Sequence, residues 1–251
     1  MDAGGYLWTN GIPVGGGGGY RLDVQVQMVN LTQAEVTAFV QPLLQTLNEL
    51  GIPVVIGTPS TRVWSDMGAP TALRPGAFRF GSRLYPRSSF EDPELFEASM
   101  AAARATMEDG YVYHGLNLAA TDKVAGSLPQ AGVHPVWRDT VMHVDVLDPQ
   151  NLSRVSPAEA MAGWRRLWAH MDAIRAATPG GGAYFNEADL LEQDWQHAFW
   201  GSNYERLLKI KKARDPGSVF WAAATVGSEG WAVQTPNELP SQNGRLCRVP
   251  V

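Results

Sequence analysis

Alternation with one polar face is the pattern that most constrains this chain. Tyr20, Leu22, Val24, Val26 and Met28 fall on one side of an extended backbone, and Arg21, Asp23, Gln25 and Gln27 on the other. Successive strand side chains point to opposite faces, so the run predicts a strand with one apolar and one polar face. The pattern returns at Tyr111 to Leu118 and Val141 to Leu147. Val54 to Ile56 and Phe78 to Leu84 read as further strands, separated by a loop containing Trp64, Asp66 and Pro70. Strands with one wet face point to an antiparallel sheet, because parallel sheets are covered on both faces.

Helical signals lie between these runs. Thr32 and Glu35 form a capping box, and Val36, Phe39, Val40, Leu43 and Leu47 recur at helical spacing until Gly51. Glu94 to Glu108 reads as a second helix. Ser156, Pro157 and Glu159 open a third that buries Met161, Trp164, Leu167, Trp168 and Met171. The fold class expected is α+β: a large antiparallel sheet flanked by helices.

The texture divides the chain into three. Residues 1–19 end in the run Gly15 to Gly19 and predict a flexible N-terminus. The run leads into Tyr20-Arg21 instead of Gly-Lys-Ser or Gly-Lys-Thr, so a phosphate loop is not expected. Residues 20–178 form the predicted substrate-binding domain. Pro179 and Gly180 to Gly182 then break the pattern, and 179–251 is an irregular, aromatic-rich segment with one clear helix, Tyr204 to Arg214.

Composition excludes several classes of function. A chain of 251 residues with 45% apolar residues can bury a sizeable core. The nine Trp residues fit either an aromatic core or an aromatic-lined cleft. A net charge of −5 argues against a nucleic-acid partner, and the cluster Lys209, Lys211, Lys212 and Arg214 is local to the end of a helix. No apolar run approaches the ~20 residues of a membrane span, so no membrane partner is expected. The N-terminus has no secretory pattern, which makes the cytoplasm the expected location. Cys247 is the only cysteine, and the histidines at 114, 134, 143, 170 and 197 have no metal-ligand spacing, so no metal site is expected. Neither Gly-x-Ser-x-Gly nor Gly-x-Gly-x-x-Gly occurs. His143 shares a predicted strand face with Val141 and Asp145 and could line a cleft above the sheet.

The stretch Ala183-Tyr184-Phe185-Asn186-Glu187-Ala188-Asp189 continues through Asp194-Trp195-Gln196 and Phe199-Trp200-Gly201-Ser202-Asn203-Tyr204 to Asp215-Pro216. It resembles the berberine-like segment of FAD-linked oxidases. Val226-Gly227-Ser228-Glu229-Gly230-Trp231 and Gly244-Arg245-Leu246-Cys247 resemble the ends of the fungal members, which often serve secondary metabolism. Gly81-Ser82-Arg83-Leu84 and Val136-Trp137-Arg138-Asp139 resemble their substrate domain. The resemblance implies the C-terminal, substrate-binding half of an FAD-linked oxidoreductase that oxidises a small organic substrate once a flavin domain is supplied. It places Tyr184, Asn186 and Asn203 toward the flavin and makes Tyr184 the base, with Arg138 or Arg83 as the cation that assists it. The polar strand face with His143 and Asp145 would supply the substrate pocket, and His143 joins Tyr184 and Arg138 as a catalytic candidate.

The family's pyrophosphate loops and its flavin-attaching His and Cys are not matched, so FAD binding by this chain alone is not expected. The partners implied are a small-molecule substrate and a separate flavin-domain polypeptide, or a second copy bound through an aromatic surface around Trp195, Phe199 and Trp200. The alternative is a flavin-independent cyclase, isomerase or metabolite-binding protein that reuses the substrate domain.

Overall fold

A computed structural model describes residues 5–14, 19–61, 78–126, 131–189, 191–235, 239 and 244–249. The predicted loop with Trp64, Asp66 and Pro70, and the glycines from Gly15 to Gly18, lie outside them.

Five strands form one sheet in the order β2-β1-β4-β5-β3: β1 (Tyr6–Pro13), β2 (Tyr20–Gln27), β3 (Arg79–Pro86), β4 (Val112–Asn117) and β5 (Thr140–Asp148). Every neighbouring pair is antiparallel. The remaining elements are the helices α1 (Gln33–Glu49), α2 (Ser88–Glu91), α3 (Pro93–Glu108), α4 (Asp122–Ala125), α5 (Pro157–Ala177), α6 (Trp195–Trp200) and α7 (Tyr204–Arg214). A hairpin of β6 (Trp231–Gln234) and β7 (Arg245–Arg248) follows them. The α+β architecture is as expected, and both predicted capping boxes form, Thr32 with Glu35 and Ser156 with Glu159.

Helices α3 and α5 cover one face of the sheet. The core between them holds Tyr85, Tyr113, Met142, Val144, Val146, Leu167, Met171 and Ile174. Antiparallel partners share a face, and Gly81 pairs with Val146 while Arg83 pairs with Val144. The opposite set therefore faces away from the helices. It includes Ser82, His114, His143 and Asp145, linked by the pairings Ser82 with Asp145 and His114 with Asp145.

Two expectations are corrected. The predicted flexible N-terminus of residues 1–19 contains β1, which sits between β2 and β4. Its Gly11 allows a close approach: a Cβ there would lie 2.3 Å from the Met107 sulfur under the sheet. Glycine thus serves helix-to-sheet packing at this position. Val54 to Ile56 is not a strand, since a strand needs a paired neighbour, and Val55 is 96% exposed. Helix α1 also buries none of its residues, and Phe39 and Leu43 remain exposed on it.

One polar lock ties strand to helix. Arg79 donates through Nη2 to Asp148 Oδ2 at 2.6 Å and through Nη1 to the Ala160 carbonyl at 3.2 Å. It also bonds the side-chain oxygen of Gln150. The two charged side chains are 0% and 4% exposed, so each is viable only while the other is present. Arg79→Met would leave Asp148 buried without its cation and should destabilise the chain by about 3–5 kcal/mol. Urea unfolding followed by Trp fluorescence checks this, and a loss below about 1 kcal/mol would show the pair to be dispensable.

Candidate functional site

The far face of the sheet becomes a site where the chain returns across β3. Leu84 N–H donates to the Gly182 carbonyl at 2.8 Å, and Tyr184 N–H donates to Ser82 Oγ at 3.1 Å. The glycines of the predicted breaker make this crossing possible. A Cβ on Gly181 would stand 2.5 Å from the Leu84 carbonyl oxygen, and one on Gly182 would stand 2.9 Å from that of Ala198. The crossing delivers Tyr184 and the following 3-10 turn, Phe185–Glu187, onto β5.

Tyr184 packs its ring edge-on against both His143 and Trp137, at 5.4 Å and 88° in each case. Its hydroxyl accepts a hydrogen bond from Asn186 Nδ2 at 2.8 Å. Beneath it, His143 Nε2 lies 3.3 Å from Asp145 Oδ1, and His143 Nδ1 lies 3.6 Å from Glu187 Oε2. His143 and Asp145 are neighbours because residues two apart on a strand share a face. Glu187 joins them from more than forty positions away, at about one turn beyond Tyr184. Next to Asp145, His114 Nδ1 lies 2.6 Å from Asn10 Oδ1.

Burial sets the protonation states. The Asp145 carboxyl is pushed up to about 8, by loss of solvent first and by the charge of Glu187 second. His143 is pushed down to about 4, by burial first and by His114 second. Burial also raises Glu187. His143 Nε2 and Asp145 Oδ1 are both buried without an aligned hydrogen-bond partner, so the pair is short of a partner from the open side.

His143, Asp145 and Glu187 each bring one donor atom within 4.8 Å of the others, a grouping that strand and turn assemble without any sequence spacing. A cation site requires deprotonated ligands. Burial favours the protonated form of Asp145, and a set of one imidazole and two carboxyls can exchange protons or, once deprotonated, hold a cation.

Several residues singled out in the sequence lie elsewhere. Arg83 is on the helix face, donating to the Thr178 hydroxyl and carbonyl, each at 2.8 Å. Arg138 donates to the Ala120 carbonyl at 2.7 Å and sits 3.5 Å from Asp122. Neither guanidinium pairs with Tyr184. Asn203 donates to the Val133 and Ala131 carbonyls at 2.7 and 3.2 Å, which anchors a loop. The aromatic surface expected around Trp195, Phe199 and Trp200 is largely internal: Phe199 is buried with Ala183, Ala198 and Ala224, and the two Trp residues pack on that cluster. Later in the same segment, Phe220 is 81% exposed. The sequence assigns His143 and Asp145 to a substrate pocket and gives Glu187 no role. The strand alternation was the available signal for Asp145.

Comparison with known proteins bears on the family and the fold. The family described as berberine and berberine like matches residues 183–227. FAD-linked oxidoreductase ZEB1 of Gibberella zeae is 30% identical over 87% of this chain and 37% of its own length. The bifunctional decalin synthase calF of Penicillium decumbens is 30% identical over 99% of this chain and 42% of its own length. The crystal structure of the VAO-type flavoprotein MtVAO615 from Myceliophthora thermophila superposes with a TM-score of 0.79 and 28% identity, covering 97% of this chain and 43% of that one. The α+β fold is thus similar to the matching 43% of a VAO-type flavoprotein. The chain is a partial homologue of the berberine-like FAD-linked oxidoreductases and spans 37% of the first of these relatives.

The raised Asp145 carboxyl has a thermodynamic signature. A carboxyl whose folded pKa lies above its unfolded value near ~3.9 keeps the folded state richer in protons, so stability falls as pH rises toward about 8. The depressed His143 has the opposite sign, its contribution rising with pH from about 4 toward the ordinary His value. The two oppose each other at acid pH, and Asp145 acts alone above it. Asp145→Asn should therefore stabilise the chain at pH 8 relative to pH 5, as measured by urea midpoints. A stability difference from the parent that does not change between these pH values would contradict the assignment.

Proposed function

We propose that this chain supplies the substrate-side wall and the general base for an FAD-linked oxidation of a small organic molecule, working with a flavin-bearing unit. The observation that carries the reading is Asp145, buried beside His143 under Tyr184, in a chain homologous to FAD-linked oxidoreductases.

Oxidation of an alcohol or amine-like carbon removes a hydride and a proton. The proton needs a base that is neither fully ionised nor inert near neutrality, and a carboxyl raised to about 8 meets that condition better than an ordinary one. Asp145 would take the proton on its carboxylate, whose buried Oδ1 faces His143 Nε2. His143, neutral through this range, would stabilise the resulting acid, and Trp137 and Tyr184 would wall the substrate from water. A bound flavin would supply the hydride acceptor. The residues present fit one face of such a ring: Tyr184 and Asn186 form a hydrogen-bonded pair on the open side of a surface whose buried polar atoms lack partners. Tyr184 then serves as a wall and hydrogen-bonding group instead of the base, since neither proposed arginine lies beside it.

A second reading is favoured by one relative, the decalin synthase: the same walled pocket could fold and cyclise a substrate without redox change. Product formation by the chain without flavin would select it.

The test is turnover by the chain combined with the flavin-bearing segment of a relative, with flavin reduction followed by visible absorbance. Asp145→Asn should lower the reductive rate by about 10²–10⁴-fold. For the parent chain, kcat/KM should rise with pH through a midpoint near 8 and level off above it, because only ionised Asp145 accepts a proton. Near-parental turnover by Asp145→Asn would refute the assignment.

A further inference from the structure

His143 is held between two different carboxyls through its two different ring nitrogens. Nε2 faces Asp145 Oδ1 at 3.3 Å, and Nδ1 faces Glu187 Oε2 at 3.6 Å. A neutral imidazole carries only one N–H, and the nitrogen that holds it decides what the other can do. With the proton on Nε2, His143 would donate to an ionised Asp145 and make it a weak base. With the proton on Nδ1, the Nε2 lone pair faces Asp145, which must then be the protonated acid in order to pair with it.

The surroundings select between the two. The Glu187 side chain is 50% exposed and the Asp145 side chain 12%, so solvent favours the charge on Glu187 and burial opposes it on Asp145. An ionised carboxylate is the stronger acceptor for a ring N–H. Among the described residues, the other groups against His143 are Leu84 on β3, Leu116 on β4, and the rings of Trp137 and Tyr184. His114 on β4 is held toward the neutral form by burial.

We propose that Glu187 is a positioning residue that fixes His143 as the Nδ1–H tautomer, so that the Nε2 lone pair faces Asp145 and holds the proton that Asp145 takes up. This rests on the assignment of Asp145 as the base and extends it, since Glu187 has no role in that assignment. The turn that lays Tyr184 over His143 also brings Glu187 to Nδ1, so the wall and the tautomer are set by the same few residues. The 3.6 Å separation is longer than a formed hydrogen bond, so Glu187 acts on Nδ1 as a charge at close range.

The chain by itself suffices for the test. Labelling histidine with ¹⁵N and recording long-range ¹H–¹⁵N correlations at pH 7 should show His143 as the Nδ1–H form at about nine-tenths or more. Glu187→Leu removes the acceptor and should move the majority to Nε2–H. In the same variant the Asp145 titration, followed by ¹³C carboxyl shifts, should fall by about one unit or more, because Asp145 then accepts from the ring and loses a repelling charge. Glu187→Gln keeps an acceptor oxygen without the charge and should retain Nδ1–H. An Nε2–H majority in the parent chain, or a tautomer ratio unchanged in Glu187→Leu, overturns the proposal. These results are separate from the test of the base itself: loss of turnover in Asp145→Asn can stand while the role of Glu187 fails.

Discussion

Two-sided burial of β5 is the constraint on which the rest of this structure depends. Alternate residues of one strand must satisfy two unlike environments. Val144 and Val146 complete the core against α5, and His143 and Asp145 line the opposite surface. Burying a polar pair with so little solvent costs free energy that aliphatic residues would not. The strand is kept in place by its apolar face, by pairing on both edges, and by the lock between Arg79 and Asp148 at its end. A one-residue slip in register would exchange core and site completely.

The returning segment after Ala177 has a comparable double duty. Its glycines let the backbone pass against β3 and beside the Ala198 carbonyl, and its aromatic residues build a second cluster around Phe199. That cluster anchors the turn carrying Tyr184 and Glu187. The site is therefore made where two packing units meet, a common location for ligand pockets. Its electrostatics follow from position: a carboxyl two residues from a histidine is ordinary on an exposed strand, and here burial raises it to about 8.

The sequence exposed most of the frame, because period-2 alternation and helix caps are local signals. Both capping boxes, the helix that Ser156 opens and the strand around His143 follow from neighbouring residues. Strand β1 was hidden because its glycines read as a loop, whereas Gly11 is small to admit Met107 from a helix almost a hundred residues away. Val54 to Ile56 has strand composition but no partner edge, and pairing is not a local property.

The amino-acid sequence by itself determined the α+β class, the strand that carries His143 and Asp145 on one face, and the likeness to FAD-linked oxidases centred on Tyr184. Only the tertiary structure decided which groups meet. It placed Arg83 and Arg138 away from Tyr184, brought Glu187 to His143, and gave Asp145 the buried setting that raises its carboxyl to about 8. The physical reason is that a side chain's charge state depends on solvent exclusion and on neighbours within a few ångströms, and both are supplied by segments distant in the chain.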